Sequence, residues 1–394
     1  MYYLVLIVLF ICSIREIISA KTYRGLFLLV YIIMTLMAIF RFGQLGDYFT
    51  YYYLYQNPIA SRDIVFILYA YLFKFLGASY QFFLTVTELI IFVLAFPFFY
   101  RTCKCSLISL FLFYTYTFMV CPMSALRQAI CLSLLLYSYY LLVEKKKVKF
   151  FVIVGIGSLI HLSFFTVFLI GWLYDKKFYN KPVFLFFVFF ATFIMLAGID
   201  LTANIRGLFE GRSVAGATSS SFDNMFQLGL RLILVFPLLL FKPPYGTDGY
   251  YAKAICIIGY ILYCVLSSNI LVAGRIEYFF RTFLCLFVAD LSLRLKPLLS
   301  DVSNNADENL SSSSSSISSF NRFRKMYLSM RGIVLSLFVF VHLVLFFKNI
   351  DGAISQGQYK EGVTVFNFPY ISIFDKAEID TYTNMNKFNY NLNE

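Results

Sequence analysis

Charge is scarce in this 394-residue sequence, and its scarcity argues against an ordinary soluble domain. Only 14% of the residues are charged, whereas soluble domains carry about 25%. The formal net charge is nevertheless +12. No Arg/aromatic nucleic-acid motif accompanies this basic excess, so it predicts basic loops on one side of a membrane and no nucleic-acid partner.

Signals for signal-peptide cleavage and for a metal centre are missing as well. The first apolar run has no small-residue cleavage site, so we expect it to remain in the protein. Eight Cys are present, most of them inside apolar runs. Cys103 and Cys105 stand one residue apart in a short basic loop, which is too sparse for a zinc site. We expect reduced, unreactive thiols.

Apolar residues are what the sequence has in abundance, since 60% of it is hydrophobic and 20% is aromatic. A span of the hydrocarbon core, about 30 Å, needs about 20 apolar residues. The sequence therefore predicts an all-α, polytopic membrane protein with about 10–12 transmembrane helices. The apolar runs lie near 2–14, 26–40, 64–79, 80–100, 107–121, 125–143, 150–173, 182–199, 226–242, 254–272, 276–293 and 332–347.

Two of these runs predict re-entrant or broken segments. The run 64–79 ends in Gly77, and the run 150–173 is interrupted by GIGSLIHLS around His161. Half-helices of about 12 residues reach only about 18 Å. If both runs enter and leave on one side, ten crossings remain, both termini lie outside, and 20 of the 33 basic residues fall inside.

Arginine and lysine then separate between the two sides. Thirteen of the 20 inner basic residues are Lys, whereas the outer ones before the tail are all Arg. The planar guanidinium pairs bidentately with carboxylate or phosphate, and an ammonium group does not. The arginines on the outer side therefore predict an anion-binding cavity there. Arg231 and Arg281 lie in the outer halves of their helices and point to the same side. The outer arginines are Arg41, Arg62, Arg127, Arg206, Arg212 and Arg275.

The chain divides into four predicted regions. Residues 1–293 form the polytopic transmembrane region, and residues 332–347 form the last transmembrane helix. Between them, residues 294–331 are rich in Ser and Asn, which cannot bury a core, so we expect a disordered cytoplasmic linker. Residues 348–394 form an extracytoplasmic tail, in which GVTVFNFPYISIF is predicted to fold against the outer face.

The loop RFGQLGDYFTYYYLYQN, residues 41–57, is the first candidate site. Its tyrosines, Tyr48 and Tyr51 among them, fit an interfacial aromatic belt. That reading does not explain Arg41 and Asp47 framed by glycines. Aromatic faces beside a carboxylate also suit a sugar-binding cleft, because sugar rings have apolar faces and polar rims.

Polar residues at the start of the helix 125–143 form the second candidate site. Arg127 and Gln128 open this helix, with Ser124 as a candidate N-cap. A helix N-terminus presents free N–H groups and partial positive charge, so an added Arg favours phosphate. Snorkelling of Arg127 to the headgroups is the alternative.

One histidine and one later segment complete the candidates. His161 lies where the broken segment should turn, so either it lines a cavity or it is a packing residue. His342, in an unbroken apolar helix, is read as packing. The segment SSNILVAGRIEYFFRTF carries Arg275 and Glu277, which are two residues apart and do not face each other on a helix.

The motifs RFGQLGDYFTYY, SALRQAI, HLS and RIEYFF, in this order, resemble those of the EpsG/Wzy-like polysaccharide polymerases of bacterial cell surfaces. The resemblance covers residue 1 to about 290. It implies a GT-C-like polymerase fold in the bacterial inner membrane, with an extracytoplasmic active face. It also implies an enzyme that polymerises undecaprenyl-pyrophosphate-linked oligosaccharide repeat units for O-antigen, capsule or exopolysaccharide.

The roles of single residues follow from that resemblance together with the site physics. Arg127 and Arg275 would clamp the pyrophosphate leaving group, and His161 or Asp47 would be the base. Glu277 is the third catalytic candidate. No Asp-x-Asp pair is present, so we expect no metal and no other cofactor. The remaining binding candidates are Arg41, Gln128, Arg281, Tyr48 and Tyr51.

Membrane lipid, a chain-length regulator and a flippase are the further partners expected beside the lipid-linked substrate. Two other functions stay open. An O-antigen ligase-like transferase uses the same donor, but its large outer loop is not matched by residues 200–225. A transporter or flippase of the lipid-linked unit also has buried charges and broken helices, but it needs a site near the midplane rather than on one face.

Overall fold

The apolar runs form helices that pack side by side in a computed structural model. It describes residues 1–19, 21–43, 47–60, 63–174, 176, 181–197, 221–241, 243–293, 315–355, 359–375 and 378–382. Within these ranges there is no β-strand, only an isolated antiparallel bridge between Arg41 and Ser372. The protein is an all-α polytopic membrane protein, as predicted.

Sixteen α-helices are described, and most follow the apolar runs. They are α1 (Tyr2–Ser19), α2 (Arg24–Phe40), α3 (Tyr48–Gln56), α4 (Ile64–Phe75), α5 (Tyr80–Pro97), α6 (Ser106–Leu112), α7 (Leu126–Val143), α8 (Lys147–Ile160), α9 (Phe168–Leu173), α10 (Lys181–Leu196), α11 (Ser221–Leu240), α12 (Asp248–Val265), α13 (Ile270–Arg281), α14 (Leu284–Leu293), α15 (Ser315–Ala353) and α16 (Ile379–Tyr382). π-Helical segments, Phe98–Thr102 and Phe113–Phe118, extend α5 and α6.

Four described segments are long and apolar enough to cross a membrane by length and composition alone: Tyr2–Ser19, Tyr80–Thr102, Leu126–Val143 and Gly332–Ala353. Shorter apolar helices accompany them, and large apolar side chains on their outer sides are exposed, such as Phe189 at 69% and Phe193 at 61%. Such surface suits lipid rather than water. The number of crossings stays a prediction.

Ring contacts define the two ends of the helix bundle. Tyr31 contacts Phe92 and Phe27 contacts Phe96, so α2 and α5 run antiparallel. The end of α2 and the start of α5 therefore lie at one end of the bundle. We call this end the tail face, because residues 359–375 cover part of it, and we call the opposite end the lysine face.

The lysine face carries the turn between α7 and α8. Lys145 there adopts a φ of 60°, and Lys146 and Lys147 follow it. Arg101, whose guanidinium donates to the Tyr140 hydroxyl at 2.8 Å, lies at the same end. The basic residues of this loop therefore gather on one side, as the charge pattern predicted.

The predicted break at His161 is present. Helix α8 ends at Ile160, His161 is extended at φ −149° and ψ 114°, and a 3-10 segment leads into α9. The two arms fold back on each other, since the rings of Phe151 and Phe168 stack at 5.9 Å. A Cβ at Gly157 would overlap the ring of Phe164, so this glycine permits the close approach of the arms. The segment 150–173 is thus a hairpin whose two ends lie toward the lysine face.

The segment between α2 and α5 also returns to the face from which it starts. Helix α4 is only 12 residues long and is followed by a turn at Gly77, whose φ is +69°. The Tyr69 hydroxyl bonds the Thr87 hydroxyl and Phe73 contacts Phe82, so α4 packs antiparallel to α5. The run 64–79 therefore forms one returning arm and a turn, and the descent that was predicted within it lies before Ile64.

One predicted break in the second half is wrong, and one predicted region overlaps a helix. The runs 254–272 and 276–293 place a break near 273–275, but the chain breaks at 266–269. Asn269 starts α13 by accepting a hydrogen bond from the Val272 amide at 3.2 Å, so Ala273–Ile276 lie inside that helix. The predicted linker 294–331 overlaps α15, which begins at Ser315. Residues 294–314 lie outside the described ranges.

The tail packs against the bundle, as predicted. The Tyr3 hydroxyl donates to the Val365 carbonyl at 2.6 Å, and the Tyr370 hydroxyl donates to the Met37 carbonyl at 2.9 Å. The Phe42 amide donates to the Ile371 carbonyl, and the Ile373 amide donates to the Phe40 carbonyl. These bonds fasten the tail to the loop that begins at Arg41.

Candidate functional site

Two groups of charged side chains lie in the tail-face half of the bundle, on opposite sides of α13. The first surrounds the start of α7, and the second surrounds Glu277. Successive residues turn about 100° on a helix, so Arg275 and Glu277 point to different sides of α13. This confirms the prediction that the two do not face each other.

Arg127 is set below the tail face. Phe98 contacts Tyr139 and Arg101 contacts Tyr140, so α5 and α7 run in the same direction. This register places Arg127 level with residues near Glu88, about two helical turns, or about 10 Å, below Tyr80. The Arg127 side chain is 28% exposed, so it lies in a recess rather than in the packed core.

The Arg127 guanidinium is held by an acid and two aromatic rings. It forms an ion pair with Asp63, the N-cap residue of α4. Its central carbon lies 5.8 Å from the ring centroid of Tyr51 and 5.8 Å from that of Phe66. The Tyr51 hydroxyl also accepts the Arg127 backbone N–H at 3.3 Å.

The helix start itself differs from the prediction in one detail. Ser124 is not the N-cap of α7; that position is Ala125, and no side chain caps it. The Tyr51 hydroxyl therefore takes one of the unpaired N–H groups of the first turn, a role that an N-cap side chain usually fills.

Gln128 connects α7 to α13. It is buried, and its side-chain amide donates to the Arg275 carbonyl at 3.1 Å. The Arg275 side chain is exposed. Gln128 thus positions the backbone of α13 and leaves the Arg275 guanidinium accessible.

Asp47 lies among three of the predicted arginines. Burial raises the pKa of its carboxyl group, and the positive charges of Arg275, Arg127 and Arg41 act in the opposite direction. The half-buried carboxylate is therefore within electrostatic reach of all three guanidinium groups. The turn at Gly43, with φ +60°, brings the loop into this position, because a positive φ favours glycine.

His161 reaches the same level on the side of α7 that carries Arg127, because Cys131 lies one helical turn after Arg127 and contacts α8. The Cys131 thiol contacts the Gly157 carbonyl at 3.4 Å, and α7 and α8 run antiparallel. One further turn along each helix brings Arg127 and His161 to the same depth. The half-buried imidazole exchanges a hydrogen bond with the Ser163 hydroxyl, Nδ1 to Oγ 2.7 Å.

Arg41 is buried more deeply than its position in a loop suggested. Its guanidinium is 1% exposed and pairs with Glu88, 0% exposed, at 2.9 Å. Glu88 lies within α5 and is the counter-ion of Arg41. Tyr48, 3% exposed, packs edge-on against Tyr80 at 5.3 Å. Arg41 and Tyr48 are therefore buried beneath the loop that contains Asp47 and support it.

The second group is a buried triad of Arg231, Glu277 and Arg281. Glu277 accepts from the Arg231 Nε at 2.8 Å and from the Arg281 Nη1 at 3.1 Å. Each guanidinium also lies over a ring, Arg231 at 3.6 Å from the Tyr263 centroid and Arg281 at 3.5 Å from the Tyr116 centroid. All three charged side chains are at most 8% exposed.

The triad engages two of the predicted site residues, Glu277 and Arg281. Glu277 is committed to two arginines, and its assignment as a catalytic group stays a prediction. Arg281 is likewise engaged by Glu277 and Tyr116. Tyr116 lies in the π-helical segment that extends α6, and such segments are frequent at functional sites.

Sequence reasoning missed Asp63 and the two tyrosines of the triad. Asp63 carries a weak signal, a single acid directly before an apolar run, which is a common helix start. Tyr116 and Tyr263 lie in runs rich in aromatic residues and have no local signal. Arg62, Arg206 and Arg212 lie outside the described residues.

The described residues hold no group of three or more His, Cys, Asp or Glu that could bind a metal ion. The independence of the reaction from metal stays a prediction. The two groups offer guanidinium groups, carboxylates, one imidazole and several phenol rings. This set can bind an anion, stack against a sugar and accept a proton.

Comparison with known proteins identifies a family for this chain. A model of the EpsG family matches residues 24–296, which is more than half of the chain. No curated protein and no solved structure matches the chain. The GT-C-like fold therefore stays a prediction. The matched range includes both charged groups and ends before α15 and the tail.

Proposed function

This chain belongs to the EpsG family, and from that premise we propose that it polymerises lipid-linked oligosaccharide repeat units. The family indicates a glycosyltransferase-like polymerase in polysaccharide biosynthesis. The proposed substrate is an oligosaccharide on undecaprenyl pyrophosphate, and the product is O-antigen, capsule or exopolysaccharide.

The observation that carries the proposal is the surroundings of Arg127. A partly exposed guanidinium lies at a helix N-terminus, in a recess, with Asp47 and the exposed Arg275 close by. Helix dipole and guanidinium together favour a phosphate group. Tyr51 beside them offers a ring face to a sugar.

The proposed reaction uses these groups in one displacement. An acceptor hydroxyl attacks the anomeric carbon of the growing glycan, and a new C–O glycosidic bond forms. The bond between that carbon and the phosphate oxygen breaks, and lipid pyrophosphate leaves with the electron pair. Arg127 and Arg275 stabilise the charge that develops on it.

The hydroxyl proton passes to His161 or to Asp47. His161 lies at the depth of Arg127, and its Nδ1 is held by Ser163, which fixes the ring orientation. Asp47 is half-buried and stays close to three guanidinium groups. In this proposal Gln128 holds α13, Arg41 and Tyr48 support the loop of Asp47, and Glu277 orients Arg281.

The proposed orientation places the tail face outside the bacterial inner membrane. Lys145, Lys146 and Lys147 form a turn on the opposite face, and Lys/Arg-rich loops are cytoplasmic. The lipid pyrophosphate would then be bound at the outer leaflet. A chain-length regulator and a flippase are proposed partners of the assembly.

A transporter of lipid-linked units remains the second candidate function, because broken segments such as that at His161 are common in transporters. Arg127 lies at a helix start about 10 Å below the tail face, which favours chemistry on that face. A ligase-like transferase would share the Arg127 site and differ in its acceptor.

The test is a gel of surface glycan from a strain that lacks the gene. Complementation with the wild type should restore a ladder of repeat units, and His161→Ala at matched expression should leave a single repeat. His342→Ala is the control, because the buried His342 lies in α15 and hydrogen-bonds the Phe338 carbonyl of its own helix. A deletion strain with no glycan at the surface, not even one repeat, would support the transporter instead.

A further inference from the structure

The Arg127 site already contains an anion, and it belongs to the protein. The Asp63 carboxylate is paired with the Arg127 guanidinium, and the pair is neither fully buried nor fully exposed, at 15% and 28%. A carboxylate and a phosphate bind the same fork of N–H groups. Asp63 therefore occupies the position that a substrate phosphate would take on Arg127.

Asp63 also lies on the flank of the bundle that faces lipid. It begins α4, whose residues Ile64, Leu68, Leu72 and Phe75 are 71%, 64%, 54% and 88% exposed. Their spacing of four, four and three residues puts them on one side of the helix. The opposite side is buried through Phe66, Ala70 and Phe73.

Helix α4 thus separates the recess from the lipid-facing surface, and Asp63 is its inner end. The register of α4 against α5 places this end at the depth of Arg127 rather than at the tail face. The lipid tail of a lipid-linked substrate stays in the membrane, and the flank formed by α4 is the lipid-facing surface next to the Asp63–Arg127 pair.

We propose that Asp63 is the resident counter-ion of the Arg127 site and is exchanged for a phosphate of the substrate in each cycle. Before binding, Asp63 neutralises Arg127 and holds it between Tyr51 and Phe66. When the lipid pyrophosphate enters, its oxygens replace the carboxylate. After glycosyl transfer, the return of Asp63 to Arg127 helps to displace the lipid pyrophosphate product.

The inference rests on the proposed function for the identity of the ligand, but its test does not require polymerisation. The probe is inorganic pyrophosphate, titrated against the purified full-length chain in lipid nanodiscs. Asp63→Asn removes one negative charge from the site and keeps the shape of the side chain. If Asp63 competes with phosphate, the variant should bind pyrophosphate about fivefold more tightly, which corresponds to about 1 kcal/mol.

Two further variants make the result specific. Arg127→Ala should lose pyrophosphate binding in both the wild-type and the Asp63→Asn backgrounds. Glu144→Gln is the matched control, because it removes the same charge from an exposed pair with Lys146 on the lysine face, at 3.7 Å. It should leave the binding constant unchanged.

Weaker binding by Asp63→Asn, with unchanged thermal unfolding, would overturn the exchange and make Asp63 a residue that only positions Arg127. Equal binding by the two proteins would also overturn it. Asp63→Asn could bind pyrophosphate more tightly while a strain that lacks the gene still forms a normal glycan ladder. That result would support the role of Asp63 as counter-ion and would reject the proposed polymerase function. The two proposals can therefore fail separately.

Discussion

Helix α13 separates two groups of arginines that share the same chemistry and differ in their surroundings. Arg127, on one side, is 28% exposed and pairs with one acid from a short peripheral helix. Arg231 and Arg281, on the other side, are 8% and 7% exposed, share Glu277 and lie under tyrosine rings. A buried ion pair is costly to break, whereas a half-exposed one exchanges readily. We infer that the first group binds ligand and that the second holds the helices in place.

Among the substitutions that test this difference, Glu277→Gln is expected to have the largest effect. The substitution leaves two buried guanidinium groups without their carboxylate, so we expect a loss of about 3–5 kcal/mol in the free energy of unfolding. Thermal unfolding and detergent extraction of the purified variant measure it, and Glu144→Gln serves as the surface control. A variant that unfolds like the wild type and yet forms no glycan ladder would return Glu277 to the catalytic role.

The next largest effect is expected when one Arg in each of the two groups is replaced by Lys. Arg127→Lys keeps the charge and loses the fork, so polymerisation should fall about tenfold to hundredfold, with stability changed by less than about 1 kcal/mol. Arg281→Lys should instead lower stability by about 2 kcal/mol, since it loses its place over Tyr116. Paired measurements of glycan ladder and thermal unfolding decide this. The same phenotype in both variants would contradict the division into a ligand-binding group and a structural group.

The pH dependence of polymerisation tests whether Asp47 is the base. Burial raises the pKa of this carboxyl group, and Arg275 is the largest opposing influence. A base must be deprotonated, so activity should rise with pH through that raised pKa. Arg275→Gln removes a positive charge and should move this acid limb to still higher pH. Initial rates between pH 4 and pH 8 measure the limb, and a limb that stays in place would remove Asp47 as the base.

The smallest effect is expected from the tail, which lies outside the family match. Ile373→Pro removes the amide that donates to the Phe40 carbonyl at 2.9 Å, next to Arg41. We expect polymerisation to fall by about fivefold, because the bond is worth about 1 kcal/mol to the loop. Ile373→Ala keeps the amide and is the control. Equal activity of the two variants would show that the tail does not support the site.

Much of this arrangement was predictable from local sequence. The glycines before His161 predicted the hairpin, and Gly77 predicted the turn after α4. These features depend on residues near each other in the chain. The start of α13 was not predictable, because Asn269 acts there through one capping bond inside an almost continuous apolar run.

The sequence by itself determined the class of the protein, since about 20 apolar residues in a row have no stable place in water. It also determined the family and the residue types of the site. Only the tertiary structure decided which acid meets which arginine: Asp63 with Arg127, Glu88 with Arg41, and Glu277 with Arg231 and Arg281. In each case but one these partners are more than 40 residues apart. Such pairs form because a buried charge must find its opposite in whichever helix packs beside it, and no local pattern records that choice.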